Sequence, residues 1–139
     1  MMSQKQTWTI VATILGALIV LAPGCSQSIL VPSIVIDRIT VTDHVRHTTS
    51  VITNSEQIHN CVAFIQARRG GWKRPWDTFP SGRYDVAYES NGNFQYVVWI
   101  SVDGADWIGY RKAGGTSTDN VLKNVSAAEH KEIIRCLGR

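Results

Sequence analysis

Acidic residues are missing from the first 36 positions of this 139-residue chain, and the recognised catalytic signatures are missing from all of it. There is no Gly-x-Ser-x-Gly elbow and no local cysteine–histidine motif, so nothing marks an activated nucleophile. Gly114-Gly115 stands alone rather than in a phosphate-cradling glycine loop. Internal repeats are absent. Strong charge is lacking too: the formal net charge is only +3, too little to argue for nucleic acid as a partner. No apolar run is long enough to span about 30 Å of hydrocarbon comfortably, which takes roughly 20 residues. Cysteine is sparse, with three in the chain.

The acid-free N-terminus has its own order. Lys5 and the α-amino group form a weakly positive start, Trp8 to Leu21 is uncharged and mostly apolar, and Ala22-Pro23-Gly24 closes it before Cys25. That is the layout of a secretory signal peptide over residues 1–24. A cysteine directly after a small residue at the end of such a core resembles the lipobox of bacterial lipoproteins. Ala22 stands where that family most often has Leu, and Pro23 is unusual beside the cut. The resemblance implies cleavage before Cys25, acylation of Cys25 (diacylglycerol on the thiol, palmitate-type chains), and residence in the bacterial cell envelope. Ser26 implies the class sent to the outer membrane, facing the periplasm. Ordinary secretion with cleavage after Gly24, and retention of the segment as an uncleaved anchor, are the competing readings. The resemblance ends near residue 26 and implies nothing about the domain that follows.

What remains is one domain's worth of chain: a tether over 25–36, broken by Pro32, then a single domain over 37–139. In that compartment Cys61 and Cys136 form an even pair, and disulfides persist there. Two buried thiols are the alternative. Asp37–Asp43 alternates as a half-buried strand, with Ile39 and Val41 on one side, and Val45–Ile52 continues it or forms a second strand. Thr53-Asn-Ser-Glu56 has the form of a capping box opening a helix over about 54–69, with Ile58, Cys61, Val62 and Ile65 on one face. Tyr84, Val86 and Tyr88 alternate, Asn91-Gly92 supplies a type I′ turn, and Phe94–Val102 is apolar on both faces. Asp103-Gly104 turns the chain again, and 105–111 returns. Ser126-Ala-Ala-Glu129 is a second capping box, opening a helix with Ile133, Ile134 and Leu137 inward and Gly138 as its stop. The order β(β)αβββα predicts a two-layer α+β domain, an antiparallel meander of about four to five strands carrying two helices.

The most unusual stretch is Arg68 to Arg83. Arg68, Arg69, Lys73, Arg74 and Arg83 face Asp77 alone, interleaved with Trp72, Trp76 and Phe79. Arginine offers planar bidentate donors to phosphate or carboxylate, and tryptophan stacks on sugars or rests at a headgroup interface. Arg68, Arg69, Trp72, Lys73, Arg74, Trp76 and Arg83 are therefore the candidate contacts for an anionic partner, either another envelope protein or an anionic lipid or glycan. The competing reading folds the aromatics back onto the sheet and leaves the cations complementing a helix C-terminus. A metal site drawn from His44, His47, Glu56 and His59 fails on spacing, since residues three apart on a strand point to opposite faces. The acid pairs Asp103/Asp106 and Glu129/Glu132 bracket a turn and decorate a helix. Together with what the lipoprotein resemblance implies, these residues predict a lipid-anchored binding or accessory protein, an assembly factor or an inhibitor or immunity-type lipoprotein. Neither catalytic residues nor a cofactor are expected. A small hydrolase acting on a glycan or lipid, with polar groups converging near Asp77, Asp85 or a histidine, is the alternative, as is a purely structural envelope lipoprotein.

Overall fold

Alternation decides the first strand. In β1 (Arg38–Asp43) Ile39, Val41 and Asp43 are buried, while Arg38, Thr40 and Thr42 turn the other way. β2 (Thr48–Ile52) folds back beside it as a hairpin. The turn between them is held by Asp43, whose Oδ1 accepts from the backbone N–H of Val45 and of Arg46. His44 and His47 thus lie in this turn rather than on a strand. The structure is a computed structural model that describes residues 26–75 and 80–139. The signal-type segment 1–24, Cys25, Trp76 and Asp77 lie outside the described residues.

Helix α1 (Ser55–Gln66) follows β2. Its N-cap is Asn54, whose side chain accepts from Gln57 N–H at 2.9 Å, so the cap falls one residue later than the Thr53–Glu56 box predicts. Asn fills this role as well as Thr does, and Glu56 is left exposed. The buried face is Ile58, Cys61, Phe64 and Ile65, with Val62 only half-buried on its flank.

The chain then forms a continuous meander: β3 (Tyr84–Ser90), β4 (Asn93–Ile100), β5 (Trp107–Lys112) and β6 (Val121–Asn124), with a short 3₁₀ turn at Ser117–Asp119 before the last strand. Asn91 and Gly92 both adopt positive φ (50° and 76°), as the β3–β4 turn requires. β3 pairs with β1, giving one antiparallel sheet of six strands in the order β2-β1-β3-β4-β5-β6. The expected four to five strands omit β6, which is four residues long and follows a Gly/Ser/Thr loop. The final helix α2 (Ala127–Cys136) opens on the predicted box: Ser126 Oγ accepts from Glu129 N–H, and Glu129 returns a carboxylate oxygen to Ser126 N–H.

Both helices lie on the same sheet face and run antiparallel to each other. Gln57 near the start of α1 donates to the Cys136 carbonyl at the end of α2, and Cys61–Cys136 is a disulfide with Cα atoms 5.5 Å apart. Beneath them the sheet contributes Ile39, Val41, Val86, Val98, Ile100 and Ile108. Tyr88 and Tyr96 stack at 4.4 Å in the same core, where burial raises the pKa of both hydroxyls. His130 of α2 is buried rather than surface-lying, its Nε2 3.1 Å from the Ser101 carbonyl oxygen. The N-terminal arm completes the cover with Ile29, Val31 and Ile36, and Tyr110 donates its hydroxyl to the Leu30 carbonyl at 2.8 Å. Burial pushes the Tyr110 hydroxyl up to about 12.

One sheet edge is closed by the chain itself. Lys73 exchanges backbone hydrogen bonds with Leu122 of β6, and Trp72 does the same with Gln27. Edge strands that carry such cover do not recruit other chains.

Candidate functional site

The basic stretch divides into two populations. Arg68, just past α1, folds across the helix pair: Nε donates to Glu129 Oε1 at 2.9 Å, Nη2 to Glu132 at 3.2 Å and Nη1 to the Phe64 carbonyl at 2.9 Å. Its guanidinium sits 3.6 Å over the Phe64 ring, and its side chain is only 14% exposed. The two carboxylates that decorate a helix in the sequence thus fasten α2 to α1. Glu129 is held below the ordinary carboxylate range chiefly by the Ser126 N–H, against the effect of burial and with help from Arg68.

Trp72 is fully buried. It packs against Tyr110 at 5.9 Å between ring centres, and its Nε1 donates to the Arg68 carbonyl at 2.6 Å. Arg83, at the other end of the stretch, lies 3.8 Å from the buried Asp43 carboxylate and 3.6 Å from Asp103, over the Tyr84 ring. Burial drives the Asp43 pKa up, but the N–H groups of Arg46 and Val45 and the charges of Arg83 and Arg46 more than offset this and leave it lowered.

Arg69, Lys73 and Arg74 behave differently. All three are exposed, and none pairs with a carboxylate among the described residues. At the closed sheet edge Lys73 and Arg74, with Gly71, Pro75, Leu122 and Asn124, line a concavity of about 270 Å³; Arg69 stands two residues before Gly71, its backbone carbonyl accepting from Ile29 N–H. Lys123 adds a fourth cation at its rim, its Nζ donating to the Gly70 carbonyl at 2.6 Å. Gly71 is required here: its φ is +78°, and a Cβ would stand 2.7 Å from Lys123 Nζ. The Asp119 carboxylate feels Arg74 and Arg111 at longer range; its pKa is lowered first by the Thr116 N–H and hydroxyl.

A second constellation lies on the central strand β3, beside the turn that follows β1. His44 Nε2 is 3.0 Å from Asp85 Oδ1, and both line a concavity of about 450 Å³ with Ser81, Gly82, Pro80 and Trp99. The β1–β3 register explains the meeting: Thr42 lies opposite Asp85 on the outer sheet face, so the residue two positions on reaches it. No local spacing in the sequence signals this pair. Both side chains are about half-exposed. Among the described residues no three of His, Cys, Asp and Glu converge as metal ligands, and no helix is long and apolar enough to cross a membrane.

Chemically, then, the domain offers a cationic corner built on backbone pairing and a carboxylate–imidazole pair on the open sheet face. Comparison with known protein families, with curated proteins and with solved structures found no match to this chain.

Proposed function

We propose that the chain is a lipid-anchored protein of the bacterial envelope, facing the periplasm. On this reading it acts by binding an anionic partner, as an accessory or assembly factor or as an inhibitor or immunity-type lipoprotein. The contact surface is the outward half of the basic stretch: Arg69, Lys73 and Arg74. The observation that carries the reading is that these three cations are exposed and pair with no carboxylate among the described residues, while Arg68 and Arg83 are consumed inside the fold. Arginine in that state keeps its bidentate donors for an external carboxylate or phosphate. Cys25, at the end of the apolar core, carries the lipid. An intact mass of the membrane-extracted protein beginning at Cys25 and including acyl chains is the expected result; a mass retaining Met1 would end the lipoprotein reading. A photo-cross-linker at the exposed Gly70 is expected to capture an envelope component, and capture is expected to vanish when R69Q/K73Q/R74Q is introduced beside it.

A small hydrolase acting on a glycan or lipid is the second reading, favoured by the His44–Asp85 contact in its concavity. A carboxylate that orients an imidazole is the arrangement general-base catalysis uses. Turnover of an envelope glycan or lipid that disappears in both H44Q and D85N would establish it. The absence of turnover in wild type would remove it.

A further inference from the structure

We infer that the anionic partner is the bilayer surface itself, so that the corner formed by Leu30, Arg69, Lys73 and Arg74 is the membrane-facing side of the domain; this rests on the lipid-anchored reading above. The path of the chain carries the argument. Gln27 N–H donates to the Trp72 carbonyl at 2.7 Å and its own carbonyl accepts from Trp72 N–H, while Ile29 N–H donates to the Arg69 carbonyl at 2.8 Å. The segment leaving Cys25 is therefore fastened to the basic stretch almost at once. Cys25 stands two residues before Gln27, a contour of about 7 Å at full extension. The headgroup layer on each side of the hydrocarbon is itself about 5–7 Å deep. A lipid on Cys25 thus keeps this corner within reach of the headgroups, and the charges on it decide whether it turns toward them.

The side chains found there suit that position. Arg69, Lys73 and Arg74 make no ion pair with a carboxylate among the described residues, and the 270 Å³ concavity lined by Lys73 and Arg74 admits a phosphate. Each Lys or Arg near an anionic leaflet favours the bound orientation about fivefold, so three together favour it on the order of a hundredfold. Leu30, next to the Arg69 contact, is 70% exposed, and Val35 farther along the arm is 81% exposed. An apolar side chain beside cations, directly after an acyl anchor, is the composition of an interfacial contact.

The test uses the full lipidated chain reconstituted in vesicles. With Cys61 bridged to Cys136 and Cys25 acylated, a Leu30→Cys variant offers one thiol for a fluorophore; Thr49→Cys, on the opposite sheet face, is the reference. In vesicles containing phosphatidylglycerol and doxyl-labelled lipid, the probe at 30 is expected to be quenched and the probe at 49 is not. Replacing phosphatidylglycerol by phosphatidylcholine, or introducing R69Q/K73Q/R74Q, is expected to abolish the quenching at 30. Equal quenching at 30 and 49, no quenching at 30, or quenching indifferent to both changes would overturn the inference. So would a blue-shifted probe at 30 without lipid quenching, which means that a second copy of the chain covers the corner. The intact mass separates the two levels. Acylated protein with an unquenched probe leaves the anchor standing and removes the membrane face, whereas quenching without acyl mass removes the anchor and keeps the face.

Discussion

Arg68 and Arg69 are neighbours in one basic stretch, yet their guanidinium groups have opposite environments. Arg68 turns inward over Phe64, meets two carboxylates and a carbonyl, and locks α2 against α1. Arg69 is exposed, as are Lys73 and Arg74, and meets no carboxylate among the described residues. The same division separates Trp72, fully buried, from the cation that follows it. Local charge density therefore says nothing about availability; the carboxylates brought in by distant elements decide it. Glu129 and Glu132 arrive on α2, and Asp43 and Asp103 arrive on the turns that flank Arg83. Those four carboxylates engage Arg68 and Arg83 and leave Arg69, Lys73 and Arg74 of the stretch without an ion pair among the described residues.

If the inward residues are framework, removing them must cost stability, and Trp72 should cost most. Trp72→Ala empties a fully buried indole site and removes its hydrogen bond to Arg68, for an expected loss of about 4–5 kcal/mol in urea unfolding. An effect below about 1 kcal/mol would place Trp72 with the outward group. The disulfide acts on the same helix pair from its other end. Its ends are 75 residues apart, and opening it should destabilise by about 4 kcal/mol in the chain-entropy model. Reducing the protein before unfolding checks this, and the reduced form should depend more heavily on the Arg68 contacts.

Much of this framework is legible in the sequence, because it is written in short-range signals. Ser126 and Glu129 announce the cap of α2, Asn91-Gly92 announces its turn, and Ile58, Cys61 and Ile65 announce the inner face of α1. Elements without a local period are illegible. β6 is too short to show alternation, and its partner Lys73 lies in what reads as loop. Burial of Trp72 is open in the sequence as one of two readings, since its pocket is made by Tyr110 and the arm rather than by its own neighbours. His44 and Asp85 meet only through strand register. The candidate surface was legible as a composition. Which of its residues stay outside depended on contacts far along the chain.

A smaller effect is expected at Arg68. Arg68→Met keeps the packing on Phe64 but drops three charge-assisted hydrogen bonds, of which those to Glu129 and Glu132 are partly screened by solvent. About 2 kcal/mol of destabilisation is expected. Its pH signature is distinctive. Glu129 is held below its ordinary 4.5, so the folded protein binds fewer protons there than the unfolded chain does. That contribution is complete above pH 4.5 and fades as pH falls through the lower folded value. The fade should be shallower in Arg68→Met, though not absent, because the Ser126 N–H remains the largest cause. Unfolding curves at pH 6 and at stepped values below 4.5 test both parts. An unchanged slope would mean that Arg68 holds the helices by packing alone.

The smallest expected effect on stability discriminates most sharply between framework and surface. Changing Arg69, Lys73 and Arg74 together to Gln removes no buried contact, so unfolding should shift by no more than about 0.5 kcal/mol. The first two methylenes of each stem are retained, and the backbone bonds that use this stretch, Lys73 to Leu122 and Ile29 to Arg69, do not involve the altered atoms. Relief of repulsion among these cations and Lys123 can make the sign slightly favourable. A destabilisation of about 2 kcal/mol or more would show that these side chains, like Arg68, belong to the framework, and the comparison between inward and outward cations would collapse. If stability holds and attachment to an anionic surface is lost, the two halves of the stretch are separable in function as they are in burial. A purely structural envelope lipoprotein would tolerate the triple change in both measurements.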